Sequence, residues 1–421
     1  MKILFIHQNF PAQYKHLVQY FLNDSNNEVI IITEKMVAER IKHIFPRVTI
    51  GNYDQTQLIP ANSHHYINDF ENGVRRAQAV VKICITLRQK KFTPDIVCAH
   101  PGWGESLYIK DVFPDTPLLN FFEFFYHAKA VDLDFDPEFP AEFDDIFRAR
   151  TKNAINLFSL NSCDYGLSPT NWQKILHPQE YHDKIKVIFD GINTDQLKPN
   201  PDSTFYIKNK MGNDLNLTSK DKIITYVSRC LEPYRGFHIL MRTLPEILRR
   251  HKDAHILIVG NDQTVNYGKM PVNAKNWRTQ LMAELGKQLD LSRIHFLGNI
   301  PYTQFINVLQ VSAAHLYLTY PFVLSWSMLE AMSCGCVVVA SDTDPVKEII
   351  THQENGLLVN FFNIEEIVDR MDHILSNPTS YQTIKHHARQ TIIQHYDLKR
   401  VCLPAHVKFI DEIIEGYQSE K

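Results

Sequence analysis

The sequence predicts an α/β fold with two domains of similar size, each built on a parallel sheet with helices on both faces. The chain has 421 residues, a length that favours two or three domains over one. Short β-rich runs alternate with amphipathic helical stretches, which is typical of parallel sheets. This alternation stops near residues 195–220 and then begins again, so we expect a linker there.

The N-terminal domain is assigned to residues 1–200. Its strands are expected at 2–6, 28–33, 95–99, 117–122, 163–168 and 185–188. Its helices are expected near 12–23, 71–90, 103–112, 141–160 and 170–176.

The C-terminal domain is assigned to residues 201–380, and a helical tail to residues 381–421. The strands of this domain are expected at 222–228, 255–259, 294–297, 315–319, 337–340 and 356–359. Its helices are expected near 236–250, 273–289, 302–311, 326–334 and 344–351. The tail is expected to be interrupted near Tyr396 and by Pro404, and it can pack back on the N-terminal domain.

Charge and hydrophobicity argue against several classes of protein. A net charge of −3 without blocks of like charge gives no basis for nucleic-acid binding. No run reaches the roughly 18 apolar residues of a membrane span, and the first apolar run, Ile3-Leu4-Phe5-Ile6, suits a buried strand. We therefore expect a cytoplasmic protein, with peripheral contact at the inner face of a membrane as an option. The seven cysteines include no C-x-x-C pair, which favours buried thiols.

Ligands of open α/β sheets bind beyond the carboxyl ends of the strands, so two such domains set face to face would enclose a cleft. One candidate segment there runs from Tyr320 to Cys336 and opens a helix. Free amides at its start, expected from Leu324, Ser325 and Trp326, suit a phosphate. Glu330 could accept hydrogen bonds from ribose hydroxyls. The alternative interpretation is a capping box of Ser327 and Glu330.

Two arginines follow another expected strand. Arg229 lies just past the strand end and Arg235 directly precedes a helix. Two guanidinium groups there suit a diphosphate, whose charge grows when it leaves. Alternatively, they are surface arginines paired with Glu232 or Asp262.

These segments resemble glycosyltransferase family 4, a family of retaining enzymes with the GT-B fold of two facing Rossmann-like domains. The resemblance covers nearly the whole chain. It rests on Ser228-Arg229 with Glu232-Pro233-Tyr234-Arg235-Gly236, Leu329-Glu330-Ala331-Met332-Ser333-Cys334-Gly335, Val338-Val339-Ala340-Ser341-Asp342 with Glu348, Asn355-Gly356-Leu357-Leu358-Val359, and Val187-Ile188-Phe189-Asp190-Gly191-Ile192-Asn193.

The resemblance implies roles for single residues. Arg229 and Arg235 would contact the donor diphosphate, with Arg235 at the position of the family's lysine. Glu330 would bind the ribose, the amide of Ser325 would meet a phosphate, and a backbone group of Ile300 would meet the nucleobase.

Three positions depart from the family pattern. Phe322 replaces the first glutamate of the E-x7-E motif, which faces the transferred sugar. The N-terminal loop at 9–14 is not glycine-rich, so its side chains would crowd a diphosphate and the loop is expected to meet the acceptor instead. Glu123 stands where the family has its active-site histidine.

Glu123 and His100 are the candidate catalytic residues. A carboxylate at 123 could assist the acceptor hydroxyl or the oxocarbenium-like sugar. His100 follows strand 95–99 and is flanked by Gly102 and Gly104, which let the backbone approach a ligand. His127 lies four residues beyond Glu123.

Two further features have open interpretations. Asp132, Asp134 and Asp136 form overlapping D-x-D triplets that could bind a divalent metal, although an acceptor-side loop or a solvated turn is favoured and no metal or other cofactor is expected. The basic helical stretch at 75–91 could lie on an anionic membrane, but a helix packed on its own sheet is favoured.

The resemblance therefore implies a retaining, metal-independent hexosyltransferase of polysaccharide or glycoconjugate synthesis. Its substrates would be a nucleoside-diphosphate sugar and a glycan or lipid-linked acceptor. The alternatives are an epimerase or sugar phosphorylase of the same fold, and a non-catalytic nucleotide-sugar-binding protein.

Overall fold

The computed structural model describes residues 1–54, 63–129, 131–208 and 214–419. The chain divides into two compact units. Unit 1 comprises Met1–Asp190 and Lys399–Lys421, and unit 2 comprises Gly191–Leu398.

Unit 1 is built on a parallel sheet with the strand order β3-β2-β1-β4-β5-β6-β7. Its strands are β1 Lys2–Ile6, β2 Glu28–Glu34, β3 Thr49–Tyr53, β4 Ile96–Ala99, β5 Leu118–Phe121, β6 Tyr165–Ser168 and β7 Ile185–Val187.

Unit 2 begins with an antiparallel hairpin of β8 Thr204–Ile207 and β9 Leu215–Thr218. A parallel sheet follows with the order β12-β11-β10-β13-β14-β15. Its strands are β10 Ile223–Cys230, β11 His255–Asn261, β12 Ile294–Gly298, β13 Ala314–Tyr317, β14 Val337–Ser341 and β15 Leu357–Val359.

Helices connect the strands of both units. In chain order, those of the described residues are α1 Lys15–Leu22, α2 Lys35–Ile41, α3 Asn68–Gln89, α4 Ile109–Val112, α5 Phe143–Lys152, α6 Ala154–Ser162, α7 Asn171–Ile175, α8 Phe237–Arg250, α9 Trp277–Leu285, α10 Tyr302–Gln310, α11 Trp326–Ser333, α12 Asp344–Lys347, α13 Ile364–Ser376, α14 Gln382–His395 and α15 Leu403–Ser419.

The sheet of unit 1 carries a hydrophobic core on each face. Side chains of a strand alternate between the faces, so Ile3 and Phe5 lie in one core while Leu4 and Ile6 lie in the other. Both faces are covered, which explains why β1 is apolar throughout. The final helix α15 covers one face and contributes the buried side chains Val407, Phe409, Ile410, Ile413 and Ile414.

The predicted fold class is confirmed, and every expected strand is present within a few residues. Four elements were not predicted: β3, α2, α13 and the hairpin. The hairpin corrects the expected linker, since Phe205 and Leu217 are buried with Val308 and Val311 of unit 2.

The tail was predicted only in part. Helix α14 ends at His395, and Tyr396 follows it, so the expected interruption there is confirmed. The expected interruption by Pro404 was wrong, because this proline is the second residue of α15. A π-helical turn, Leu398–Cys402, leads directly into α15, and the proline lies just after the change from π to α geometry.

Each parallel sheet has one switch point, where the strand order reverses. In unit 1 it lies between β1 and β4, and in unit 2 between β10 and β13. Crevices for ligands form at such points, beyond the carboxyl ends of the strands. The segments that follow these four strands therefore hold the candidate site residues.

Candidate active site

Arg235 of unit 2 is held in one orientation by several contacts. Its Nη1 donates to Oγ1 of Thr319 at 3.0 Å and to the carbonyl of Val323 at 2.9 Å. Its Cζ lies 5.6 Å from the ring centroids of both Tyr267 and Phe322. Thr319 and Val323 follow β13, so the guanidinium lies at the switch point between β10 and β13. A guanidinium fixed there is a preorganised cation for an anionic ligand.

Arg229 is exposed near the end of β10 and forms no hydrogen bond or ion pair within the described ranges. Glu232 interacts electrostatically with Arg229, but the described residues contain no direct ion pair of Arg229 with Glu232 or Asp262, the pairing that the alternative required. Glu232 accepts the amides of Asn266 and Tyr267, while Asp262 accepts from Arg278 Nη1 at 2.9 Å. Arg229 therefore keeps its bonding capacity for a ligand.

The segment before α11 differs in detail from the expected phosphate site. Ser325 is the N-cap, and its Oγ accepts the amide of Ser327 at 3.3 Å. The amide of Ser325 itself donates to the hydroxyl of Tyr317 at 2.9 Å, so the prediction that this amide is free was wrong. Leu324 is buried and Trp326 is 42% exposed. Their roles toward a phosphate stay predictions.

Helix α11 ends with a Schellman motif. The amide of Gly335 donates to Met332 and that of Cys336 donates to Ala331, both at 3.1 Å. Gly335 has φ +78°, a conformation that glycine adopts without strain. Gly335 therefore occupies the position after the C-cap and ends this helix.

Glu330 is a buried carboxyl in α11, and its Oε1 accepts the hydroxyl of Tyr302 at 2.7 Å. The capping-box alternative is wrong, because Ser325 rather than Ser327 caps the helix. Burial raises the pKa of Glu330 to about 7, and the Tyr302 hydroxyl opposes this rise. Tyr302 was not predicted as a site residue, and it lies 28 residues away in another helix.

Ile300 and Phe322 both pack into the interior of unit 2. Ile300 is half-buried against the core that includes Phe205 and Leu217. Phe322 is 3% exposed, and its ring centroid lies 4.6 Å from that of Tyr267. The residue in place of a motif glutamate therefore forms part of an aromatic cluster around Arg235.

His100 of unit 1 follows β4 and is 3% exposed. Its Nδ1 accepts the amide of Gly102 at 3.2 Å. A neutral imidazole that accepts at Nδ1 carries its proton on Nε2. Its Nε2 lies 3.7 Å from Oε2 of Glu123, so the structure brings the two candidate catalytic residues together. His100 thus has a buried donor at Nε2, and the more exposed Glu123 beside it is an acceptor.

His7 and Trp103 complete this cluster at the switch point of unit 1. The ring centroid of His100 lies 5.0 Å from that of His7 and 4.6 Å from that of Trp103. Burial and the neighbouring His100 lower the pKa of His7 well below its usual range. His7 was not predicted, although it directly follows β1. His127 instead bonds the carbonyl of Leu176 through Nε2 at 2.8 Å.

The loop at 9–14 does not present bulky side chains as expected. Phe10 is fully buried and Tyr14 is 4% exposed, because both rings enter the core of unit 1. The prediction that side chains of this loop crowd a ligand was wrong for these two residues.

The aspartates of 132–136 stabilise a turn. Oδ1 of Asp134 accepts the amide of Ala141 at 3.1 Å, and Oδ1 of Asp136 accepts that of Glu138 at 2.9 Å. These contacts are typical of turn aspartates.

The basic helix α3 packs on its own unit. Val80 and Cys84 lie in a core, and Arg75 pairs with Glu71. Arg88 donates to the carbonyl of Val112 at 3.0 Å. These contacts agree with the favoured interpretation of a packed helix. In the described part of the chain, we find no helix of the length and apolarity that a membrane span needs.

Two family models match successive parts of the chain. Residues 25–197 match the model described as "Glycosyl transferase family 4 group", and residues 208–391 match "Glycosyl transferases group 1". An uncharacterized glycosyltransferase of Methanocaldococcus jannaschii is 28% identical over 222 residues, which cover 51% of this chain and 50% of that protein. The chain spans about half the length of the curated relatives it matches.

Solved structures resemble this chain over nearly its full length. Sucrose-phosphate synthase from Thermosynechococcus elongatus has a TM-score of 0.72 at 15% identity, covering 98% of this chain and 99% of that one. HepE of Anabaena, solved with UDP-glucose, has a TM-score of 0.65 at 15% identity, covering 100% of both chains. At these identities the likeness shows the fold, and it confirms the predicted GT-B class.

Proposed function

Because this chain belongs to family 4 of the glycosyltransferases, we propose that it transfers a sugar from a nucleoside-diphosphate sugar to an acceptor hydroxyl group. The observation that carries the proposal is the fixed guanidinium of Arg235 at the switch point of unit 2. The buried carboxyl of Glu330, on the helix that follows the same switch point, suits the hydroxyls of a ribose. The complex of HepE with UDP-glucose supports a donor of this class.

In the proposed reaction the bond between the sugar C1 and the diphosphate oxygen breaks, and its electron pair goes to the diphosphate. The acceptor oxygen bonds to C1 and loses its proton. Arg229 and Arg235 would stabilise the charge that develops on the diphosphate. We propose retention of configuration, with attack from the face of the leaving group and the leaving phosphate helping to take the proton.

Unit 1 would supply the groups that act on the acceptor. The carboxylate of Glu123 can accept a hydrogen bond from the attacking hydroxyl, whereas the buried Nε2–H of His100 lies 3.7 Å from that carboxylate and can act as a donor toward it. Because Nδ1 of His100 already accepts an amide, we assign the acceptor role to Glu123 and the donor role to His100. In a mechanism with a histidine general base, the histidine would instead accept the proton of the hydroxyl.

We propose a glycan or a lipid-linked sugar as the acceptor, in polysaccharide or glycoconjugate synthesis in the cytoplasm. The guanidinium groups of Arg229 and Arg235 can balance the diphosphate charge, so we propose a transfer that needs no metal.

The test is a calorimetric titration with UDP, GDP, ADP and their sugar conjugates, with and without EDTA. We expect one nucleotide series to bind, with an affinity that EDTA leaves unchanged. Arg235→Ala and Arg229→Ala should each weaken binding about tenfold or more, since each removes a charge-assisted contact. Release of free nucleoside diphosphate should depend on an added acceptor.

Arg249→Ala provides a matched control, because Arg249 is an exposed arginine of unit 2 that pairs with Glu246. Its affinity for nucleotides should equal that of the wild type. If Arg229→Ala and Arg235→Ala also bind like the wild type, the proposed donor site is wrong. Binding that EDTA abolishes would contradict the metal-independent transfer.

A further inference from the structure

Tyr302 lies between the two positions expected to bind the nucleoside. It is the first residue of α10 and follows Ile300 by two residues. Its hydroxyl donates to Oε1 of Glu330 at 2.7 Å. The Cα of Tyr302 therefore lies beside the segment expected to contact the nucleobase, and its hydroxyl contacts the carboxyl expected to bind the ribose.

The ring of Tyr302 is both held and accessible. It stacks on Phe305, with ring centroids 5.5 Å apart and an angle of 28° between the planes. Phe305 is 8% exposed, so the ring rests on a buried support, whereas Tyr302 is 47% exposed. A ring fixed by stacking and by its hydroxyl loses little further freedom when a ligand covers it.

The backbone near this ring borders open space. Gly298 ends β12 with φ +65°, and a methyl group added there would meet no atom within 4 Å. Ile300 is only half-buried. Asn299, Pro301 and Tyr302 are exposed, so the segment from Gly298 to Tyr302 is accessible to a ligand.

We propose that Tyr302 is the nucleobase platform of this chain and that its hydroxyl positions Glu330 for the ribose. The inference rests on the proposed donor site and deepens it. Aromatic rings stack on bases with little preference for sequence, so the platform alone would favour nucleosides over bare phosphates.

The hydroxyl also affects the charge of Glu330. Besides Tyr302, the thiol of Cys334 interacts electrostatically with this carboxyl, and Arg389 interacts with that thiol. Burial raises the pKa of Glu330 and the Tyr302 bond opposes the rise. Loss of the hydroxyl would therefore shift ionisation of Glu330 to higher pH, and ribose binding that uses the carboxylate would shift with it.

Two ligands distinguish binding at the Tyr302 ring from binding at the phosphate contacts. One is the nucleoside diphosphate that the wild type binds, chosen from UDP, GDP and ADP. The other is inorganic pyrophosphate. We expect Tyr302→Ala to weaken nucleoside diphosphate binding about tenfold or more, the usual effect of losing a base-stacking ring. Its affinity for pyrophosphate should not change. Tyr302→Phe should keep most of its affinity for the nucleotide at high pH. As the pH is lowered, this variant should lose that affinity at a higher pH than the wild type does.

Tyr206→Ala is the matched control, since Tyr206 is a 58% exposed tyrosine of the unit 2 hairpin. If Tyr302→Ala binds the nucleotide as tightly as the wild type does, Tyr302 is not the platform. The same conclusion follows if the variant loses equal affinity for the nucleotide and for pyrophosphate. An unshifted pH profile of Tyr302→Phe overturns the positioning role. If the wild type binds pyrophosphate but no nucleotide, or binds neither, the proposed donor site itself is wrong. If the wild type binds the nucleotide and only the result for Tyr302→Ala differs from expectation, the platform alone is wrong.

Discussion

The carboxylate of Glu232, only 1% exposed, accepts the backbone amide of Tyr267 at 3.1 Å, and the neighbouring amide of Asn266 at 2.7 Å. These bonds tie the loop after β11 to the segment after β10. The ring of Tyr267 consequently remains beside Arg235. A buried acid thus orders the surroundings of the proposed phosphate ligand without contacting the phosphate.

Replacement of Glu232 by alanine should release this loop. Two buried amides would lose their acceptor, and each such loss costs about 1–3 kcal/mol. We expect the free energy of unfolding to fall by that order and nucleoside diphosphate affinity to fall several-fold. Urea denaturation and calorimetry would measure the two effects. Unchanged values for both would show that the loop holds its position by other means.

Glu330→Gln should change how stability depends on pH. The pKa of Glu330 rises from the ordinary 4.5 to about 7 on folding. The folded state therefore binds the proton more tightly, and wild-type stability falls as the pH rises from about 4.5 through about 7. Glutamine has no such charge to bury. The difference in free energy of unfolding between variant and wild type should therefore be up to about 3 kcal/mol more favourable to the variant at pH 8 than at pH 4.

Thermal unfolding of both proteins at several pH values would test this expectation. The gain in stability should accompany weaker nucleotide binding, since the variant lacks the carboxylate proposed for the ribose. An equal difference in stability at pH 4 and pH 8 would show that the pKa of Glu330 is not raised on folding.

Glu123→Gln should lower the turnover number about 100-fold or more, the usual contribution of a positioned acid or base. Glutamine keeps the shape of the side chain but cannot take a proton. His100→Ala should lower turnover as well, because it removes the donor beside that carboxylate. Donor affinity should stay unchanged in both variants, as both residues belong to unit 1. Steady-state kinetics with calorimetry would separate the two quantities.

Glu412→Gln offers a control for the loss of a carboxylate, since Glu412 is exposed on α15 and pairs with Lys186. Its turnover should match the wild type. Should Glu123→Gln retain full turnover, the leaving phosphate alone would have to accept the proton.

Gly236→Ala should destabilise unit 2. Gly236 has φ +69°, and an added Cβ would lie 2.3 Å from Cβ of Leu318. Strain in this conformation alone costs about 1–3 kcal/mol, and the clash adds to it. Gly298→Ala shares the positive φ, at +65°, but meets no atom within 4 Å. Denaturant unfolding of the two variants should show a markedly larger loss for Gly236→Ala.

The buried strands could be predicted from the sequence because both faces of each sheet are covered. Runs such as Ile3-Leu4-Phe5-Ile6 and Val337-Val338-Val339-Ala340 are apolar throughout for this reason. The edge strand β3 gave no such signal, since Gly51 and Asn52 interrupt it and only Tyr53 is buried. The prolines and asparagines before Thr204 similarly indicated a linker, although a hairpin follows them directly.

The candidate site was predicted residue by residue, but its contacts were not. The pattern around Glu330 predicted a ribose ligand but not its partner Tyr302, which belongs to a helix that begins 28 residues earlier. The occupied amide of Ser325 depends on the hydroxyl of Tyr317, which comes from the preceding strand. Such contacts arise from tertiary packing, which no local spacing records.

The division of the chain also affects the order in which it can fold during synthesis. Unit 2 is complete once Leu398 has left the ribosome, whereas unit 1 must wait for the residues after it. Until α15 emerges, the apolar face of the β1 sheet that includes Ile3 and Phe5 is covered only in part, by side chains of α1 and α2. The half that is made first is therefore the half that is completed last, after all of unit 2 has been synthesised.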